Sequence, residues 1–177
     1  MQHSSAEATQ ILRARAQALA RTRPAPPAAG TMLELLEFRL ASERYALESR
    51  HVQEVHPLSE LTPLPCTPAF VLGIVNVRGR ILPVLDLKKF FELPEQGLTD
   101  LHRIILVRGN DLEFGLLADV VEGVRSVAVN SLQPSLPTLT GIRAEYLKGI
   151  GNERLVVLDL DRILADPKII VHEAVES

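Results

Sequence analysis

The strongest constraint on this chain is an internal repeat. Tyr45-Ala-Leu47 with Val52 and Val55 recurs, at the same spacing, as Phe114-Gly-Leu116 with Val121 and Val124. Further on, Val84-Leu85-Asp86-Leu87 recurs as Val157-Leu158-Asp159-Leu160. A period of about seventy residues is longer than that of a solenoid and implies two related units. Each unit is too small to bury much surface alone. The two are therefore expected to share a core and act as one domain, a pair of small β-barrels packed together. Apolar residues make up 46% of the chain, aromatics only 4%, and tryptophan is absent. Such a core has to be built from Leu, Ile and Val, and its many β-branched side chains favour strands.

The hydrophobic pattern agrees. Leu36, Phe38 and Leu40 alternate with Glu37 and Arg39, the signature of a half-buried strand. Tyr45 to Leu47 continues after a polar turn, and Pro57, Pro63, Pro65 and Pro68 mark an irregular connection, since proline cannot donate to a sheet ladder. Gly73 to Val77 and Arg80 to Leu85 read as a hairpin across Arg78-Gly79. Asp86 then caps a short helix predicted through Glu92. The second series runs from Arg103 to Val107 and Leu112 to Leu117, turning at Gly109-Asn110-Asp111. Val120 to Val129, interrupted at Gly123, follows. After Pro134 and Pro137, Tyr146 to Ile150 and Arg154 to Leu158 form a last hairpin across Gly151-Asn152.

Residues 1–30 differ from the rest. Ser4 and Glu7 have capping-box spacing, and good helix formers follow to Arg21, with Ile11, Leu12 and Leu19 on a narrow apolar face. Arg13, Arg15, Arg21 and Arg23 make the segment basic. Pro24, Pro26 and Pro27 end the helix in a semi-rigid linker. The organisation is thus a basic amphipathic helix with a proline-rich linker over 1–30 and the β domain over 31–177.

Several function classes are disfavoured. The formal net charge is −3, which gives no electrostatic reason to bind nucleic acid. A small-barrel nucleic-acid binder would also need stacking aromatics. Cys66 is the only cysteine, so an internal disulfide is impossible, and with no base beside it the residue reads as buried or inert. No apolar run is long enough to span a bilayer, and a secretory signal is missing, so a cytoplasmic protein without membrane insertion is expected. His3, His51, His56, His102 and His172 are scattered without metal-ligand spacing and read as surface residues. Asp86 and Asp159, the paired carboxylates at matching strand ends, are explained by capping. No glycine-rich phosphate loop occurs. Catalytic residues, a metal and a cofactor are all unexpected, and an enzyme is not indicated.

One segment carries a resemblance. Gly73-Ile-Val-Asn-Val-Arg-Gly-Arg-Ile-Leu-Pro-Val-Leu-Asp-Leu87 closely resembles the signature of CheW-like chemotaxis coupling domains. Tyr45-Ala-Leu, Val52-Gln-Glu-Val55 and Pro68-Ala-Phe-Val-Leu-Gly73 are similar to that family upstream. Gly115-Leu-Leu-Ala-Asp-Val-Val-Glu-Gly-Val124 and Tyr146-Leu-Lys-Gly-Ile150 fit its second half. The likeness spans about residues 33–170, in the family's order, as a repeat-based reading requires.

The resemblance implies a mostly β fold of two SH3-like five-stranded barrels sharing a core, with short helices. It also implies a non-enzymatic adaptor that couples the cytoplasmic tip of a chemoreceptor to the regulatory domain of a CheA-type histidine kinase, placed at receptor arrays on the inner face of the membrane. A chemosensory pathway that does not control swimming is the alternative within the same fold. The implied partner-binding residues are Val52, Glu54, Asn76, Val77, Arg78 and Gly79. Arg78 at a hairpin turn can pair two-pronged with a carboxylate, and Glu54 matches an acidic position implicated in coupling. Gly79 and Asn76 suit the turn itself. Val52 and Val77, rimmed by Glu54 and Arg78, are expected to line a groove for an amphipathic helix.

Overall fold

A computed structural model of the chain describes residues 30–95, 97, 101–134 and 142–169. Met32–Ser177 form one compact unit. The helix and linker expected over 1–30 lie, Gly30 apart, outside the described residues, as do His3, Pro137 and His172.

The first series supplies β1 (Met32–Leu40), β2 (Glu43–Glu48), β3 (Val52–Pro57), β4 (Val71–Val77), β5 (Arg80–Leu85) and helix α1 (Leu87–Phe90). The second supplies β6 (Arg103–Gly109), β7 (Leu112–Ala118), β8 (Val120–Ala128), helix α2 (Ile142–Glu145), β9 (Leu147–Ile150), β10 (Val156–Leu158) and helix α3 (Leu160–Ala165). These strands form two five-stranded sheets, β8-β1-β2-β10-β9 and β3-β6-β7-β5-β4.

Each sheet is composite. It takes the opening hairpin of one repeat and the last three strands of the other, so neither barrel is one repeat folded on itself. The crossings are short: a 3-10 turn at Ser49–His51 joins β2 to β3, and Asp119 alone separates β7 from β8. The repeat persists in the registers. Leu35 opposite Glu48 recurs as Ile104 opposite Leu117, and Ala46 beside Val157 recurs as Gly115 beside Val84. The irregular connections also match. Thr62 and Ile74 exchange backbone hydrogen bonds of 2.9 and 2.8 Å, as Gln133 and Ile150 do at 2.9 and 2.8 Å. Both pairs help to close a barrel.

Among the described residues, three apolar clusters result. Leu35, Ala46, Leu155 and Val157 fill the interior of the first barrel, and Val75, Val77, Leu82, Val84, Ile104, Leu106 and Leu117 fill the second. Between them lies the larger shared core, which includes Phe38, Tyr45, Phe90, Phe91, Ile105, Phe114 and Tyr146 from both sheets and the helices. A strand between barrel interior and shared core is covered on both faces. β1 is therefore not half-buried as its alternation suggested: Glu37 is 4% exposed, held between Arg44 at 2.9 Å and Arg125 at 2.8 Å.

Local capping follows expectation. The Asp86 carboxylate accepts from the Lys88 N–H at 2.9 Å and Asp159 from the Arg162 N–H at 3.2 Å. α1 stops at Phe90 rather than running to Glu92, which takes a positive φ of 56°. β8 runs through Gly123 as a single strand, with the irregularity absorbed by a register shift opposite Glu37/Phe38. The link from β9 to β10 is a 3-10 turn, Asn152–Arg154, rather than a two-residue hairpin turn.

Candidate functional site

The β4–β5 hairpin turns on Arg78 (φ 52°) and Gly79 (φ 82°), both left-handed. Two positive φ values in a row make the tight hairpin turn whose twist matches its strands. Glycine adopts this without strain, whereas arginine takes it at some cost. The Asn76 side-chain carbonyl accepts the Gly79 N–H at 2.9 Å, so Asn76 braces the turn. A bulky cation is thus held at the tip of a rigid hairpin, its side chain 74% exposed.

Glu54 on β3 faces it. Arg78 Nη2 lies 3.2 Å from Glu54 Oε2, and His56 Nε2 lies 2.9 Å from Glu54 Oε1. β3 and β4 are the two edges of the second sheet, so this contact reaches from one edge to the other. The His56 ring, and then the Arg78 guanidinium, outweigh desolvation and hold the Glu54 carboxyl below its ordinary range. A second group lies nearby: Glu113 accepts from Arg80 Nη1 at 2.7 Å and has Arg108 Nε at 3.6 Å. Chemically this is a surface of guanidiniums with part of their hydrogen-bonding capacity open to solvent. Such a surface suits carboxylates on a partner.

The structure brings together Glu54, Asn76, Arg78 and Gly79. Val52 and Val77 fall elsewhere. Val77 is 7% exposed inside the second barrel, and Val52 packs on the shared core. They occupy separate cores rather than lining one groove: both lie on the second sheet, but Val52 faces the shared core and Val77 the barrel interior. A different set of residues forms an apolar groove, bordered by Glu113. It encloses about 450 Å³ and is lined by Leu64, Ile74, Ile81, Pro83, Leu112 and Phe114 among others, with Ile81 67% exposed. Alternation along β5, with Ile81 and Pro83 opposed to Leu82 and Val84, was the available signal. His56 was likewise readable as the same-face neighbour of Glu54, two residues along a strand.

Other side chains correct the sequence reading. Cys66 is exposed, in a left-handed turn (φ 60°) of the proline-rich connection. His51 and His102 are buried rather than superficial. His51 Nδ1 lies 3.3 Å from the Arg108 carbonyl, and His102 Nε2 lies 2.8 Å from Asp119 Oδ1. Among the described residues, no three His, Cys, Asp or Glu side chains are grouped to hold a metal ion. Nor, among them, is a helix long and apolar enough to cross a membrane.

Comparison with known proteins points one way. The family model described as CheW-like domain matches residues 34–168. The chain is 31% identical to the chemotaxis protein CheW of Treponema pallidum (strain Nichols) over 143 residues, 77% of this chain and 84% of that protein. It is 34% identical to Protein FrzA of Myxococcus xanthus over 137 residues, 74% of this chain and 84% of that one. The crystal structure of the scaffolding protein TtCheW from Thermoanaerobacter tengcongensis superposes with a TM-score of 0.69 at 32% identity, covering 80% of this chain and 94% of that chain. With its exchanged five-stranded sheets and its braced Arg78-Gly79 turn, the chain belongs to the CheW-like domain family.

Proposed function

We propose that this chain is a non-enzymatic adaptor that couples chemoreceptors to a CheA-type histidine kinase. It works by presenting surfaces, at receptor arrays on the cytoplasmic face of the membrane. The observation that carries the reading is the Arg78–Glu54 pair at the tip of the β4–β5 hairpin, held on a turn that the Asn76 side chain braces. Arginine at a rigid, solvent-facing position is a frequent hot spot in protein interfaces. A receptor tip is a bundle of helices, and carboxylates on such a helix would compete with Glu54 for the guanidinium. The groove beside Ile81 would take apolar side chains of a helical partner.

Arg78→Glu tests this. The substitution keeps a long side chain on the same backbone, so the thermal midpoint should stay close to wild type. Capture by the purified receptor cytoplasmic fragment or the kinase regulatory domain should weaken about thirtyfold, the equivalent of a hot spot worth about 2 kcal/mol. Capture of the folded variant at wild-type affinity by both partners would refute the role given to Arg78.

A further inference from the structure

Because each sheet is completed by the other repeat, a first half could in principle be completed by a first half from a second molecule. The backbone offers no obstacle, since the two halves present the same registers. In those registers Arg44 occupies the place of Glu113, and Arg50 that of Asp119. Likewise Glu153 occupies the place of Arg80, and Asp161 that of Lys88.

The side chains at these places form ion pairs between the halves. Arg44 Nη1 meets Glu153 Oε2 at 2.6 Å, and the related pair is Arg80 Nη1 with Glu113 Oε2 at 2.7 Å. Arg50 Nη2 meets Asp161 Oδ2 at 3.2 Å, and the related pair is Lys88 Nζ with Asp119 Oδ1 at 2.5 Å. At both sites the polarity is reversed by the pseudo-symmetry: the first half supplies the cation every time and the second half the anion.

We propose that the polarity of these ion pairs directs each half to pair with the other and not with a second copy of itself. Two first halves would set Arg44 against Arg80 and Arg50 against Lys88. Two second halves would set Glu113 against Glu153 and Asp119 against Asp161. Like charges so placed repel, most strongly where water is excluded, and Lys88 is 1% exposed. Further pairs between the halves would lose their partners as well. Glu37, now held by Arg125, would face His56, and Glu48, now held by Lys148, would face Leu72. Among the described residues two weaker contacts would survive: Glu37 could accept a hydrogen bond from His56, and Arg108 would meet Glu122, its arginine 59% exposed, where an ion pair contributes little. Selectivity of this kind rests on penalising the wrong assembly as much as on stabilising the right one.

The test inverts one site in the full chain, Arg50→Glu with Asp161→Arg. The pair with position 161 is retained with opposite sign, while Glu48 gives up its 2.7 Å contact with Arg50 and keeps Lys148. In a like-half assembly, the carboxylate introduced at position 50 would now attract Lys88, and the guanidinium introduced at position 161 would attract Asp119. Wild type and variant are unfolded in urea and refolded over a range of protein concentrations, and monomer and oligomer are separated by size-exclusion chromatography. The expected result is a thermal midpoint a few degrees below wild type, from the lost Arg50–Glu48 contact, with at least about fivefold more oligomer at equal concentration. Monomer recovery equal to wild type at every concentration would overturn the proposal. Should that variant fail to fold, Arg80→Glu with Glu113→Arg supplies the same comparison at the second site, with the same outcome deciding.

Discussion

Replacing Asp119 with alanine strikes the polar point where the chain crosses between sheets. Lys88 Nζ sits 2.5 Å from Asp119 Oδ1 with its side chain 1% exposed. The Ala41 N–H donates to Asp119 Oδ2 at 2.6 Å, and His102 Nε2 lies 2.8 Å from Oδ1. Asp119→Ala leaves a buried ammonium without its counter-charge, and removing one partner of such a pair costs about 3–5 kcal/mol. The Ala41 amide, being partly exposed, can turn to water, so little is added. For a domain of this size about 4 kcal/mol corresponds to a fall of roughly 12 °C in Tm. Urea titration and thermal melts followed by circular dichroism measure both. Lys88→Met with Asp119→Asn removes both charges and should recover most of the loss, because replacing a whole buried pair is often close to neutral. A loss below about 1 kcal/mol for Asp119→Ala, or a double variant no better than the single one, would refute the reasoning.

Two further predictions concern backbone and pH. A Cβ at Gly73 would lie 2.2 Å from the Thr62 carbonyl oxygen, on backbone that cannot yield, at φ 148°, while at Gly79 (φ 82°) nothing lies within 4 Å. Gly73→Ala should therefore cost about 3 kcal/mol or more and Gly79→Ala only about 1 kcal/mol; equal shifts in urea midpoint would show that the Thr62 contact is not what demands glycine. At Glu48 burial pushes the carboxyl up, but hydrogen bonds from Lys148 and Arg50 outweigh it and hold the group below its ordinary 4.5. A hydrogen bond from Tyr146 likewise lowers Asp166 below 3.8. Depressed carboxylates stabilise the fold above their unfolded pKa values and lose that contribution as pH falls through the folded ones. Asp86, raised above 3.8 by burial, works in the opposite direction and offsets part of the loss. Stability should be level near neutrality and fall below about pH 4.5, and Glu48→Gln should flatten that fall. An unchanged acid slope in Glu48→Gln would remove Glu48 from the account.

What the sequence determined by itself was local or repetitive. The helix caps at Asp86 and Asp159, the hairpin at Arg78-Gly79 and the duplicated strand pattern depend on neighbours a few residues apart or on comparing the chain with itself. So does the β-strand content, since period-two alternation expresses the geometry of each strand alone. The Arg78–Glu54 contact was half legible: both residues could be named, but not the meeting of sheet edges that sets them 3.2 Å apart. Only the tertiary structure decided that β3 and β8 leave their own repeats to join the opposite sheets. That exchange buries Val77, Glu37, His51 and His102 and leaves the groove beside Ile81 open. A link as short as a 3-10 turn or a single aspartate can either fold a strand back or send it across. The choice is made by distant partners, through the apolar surface they cover and the charges they match.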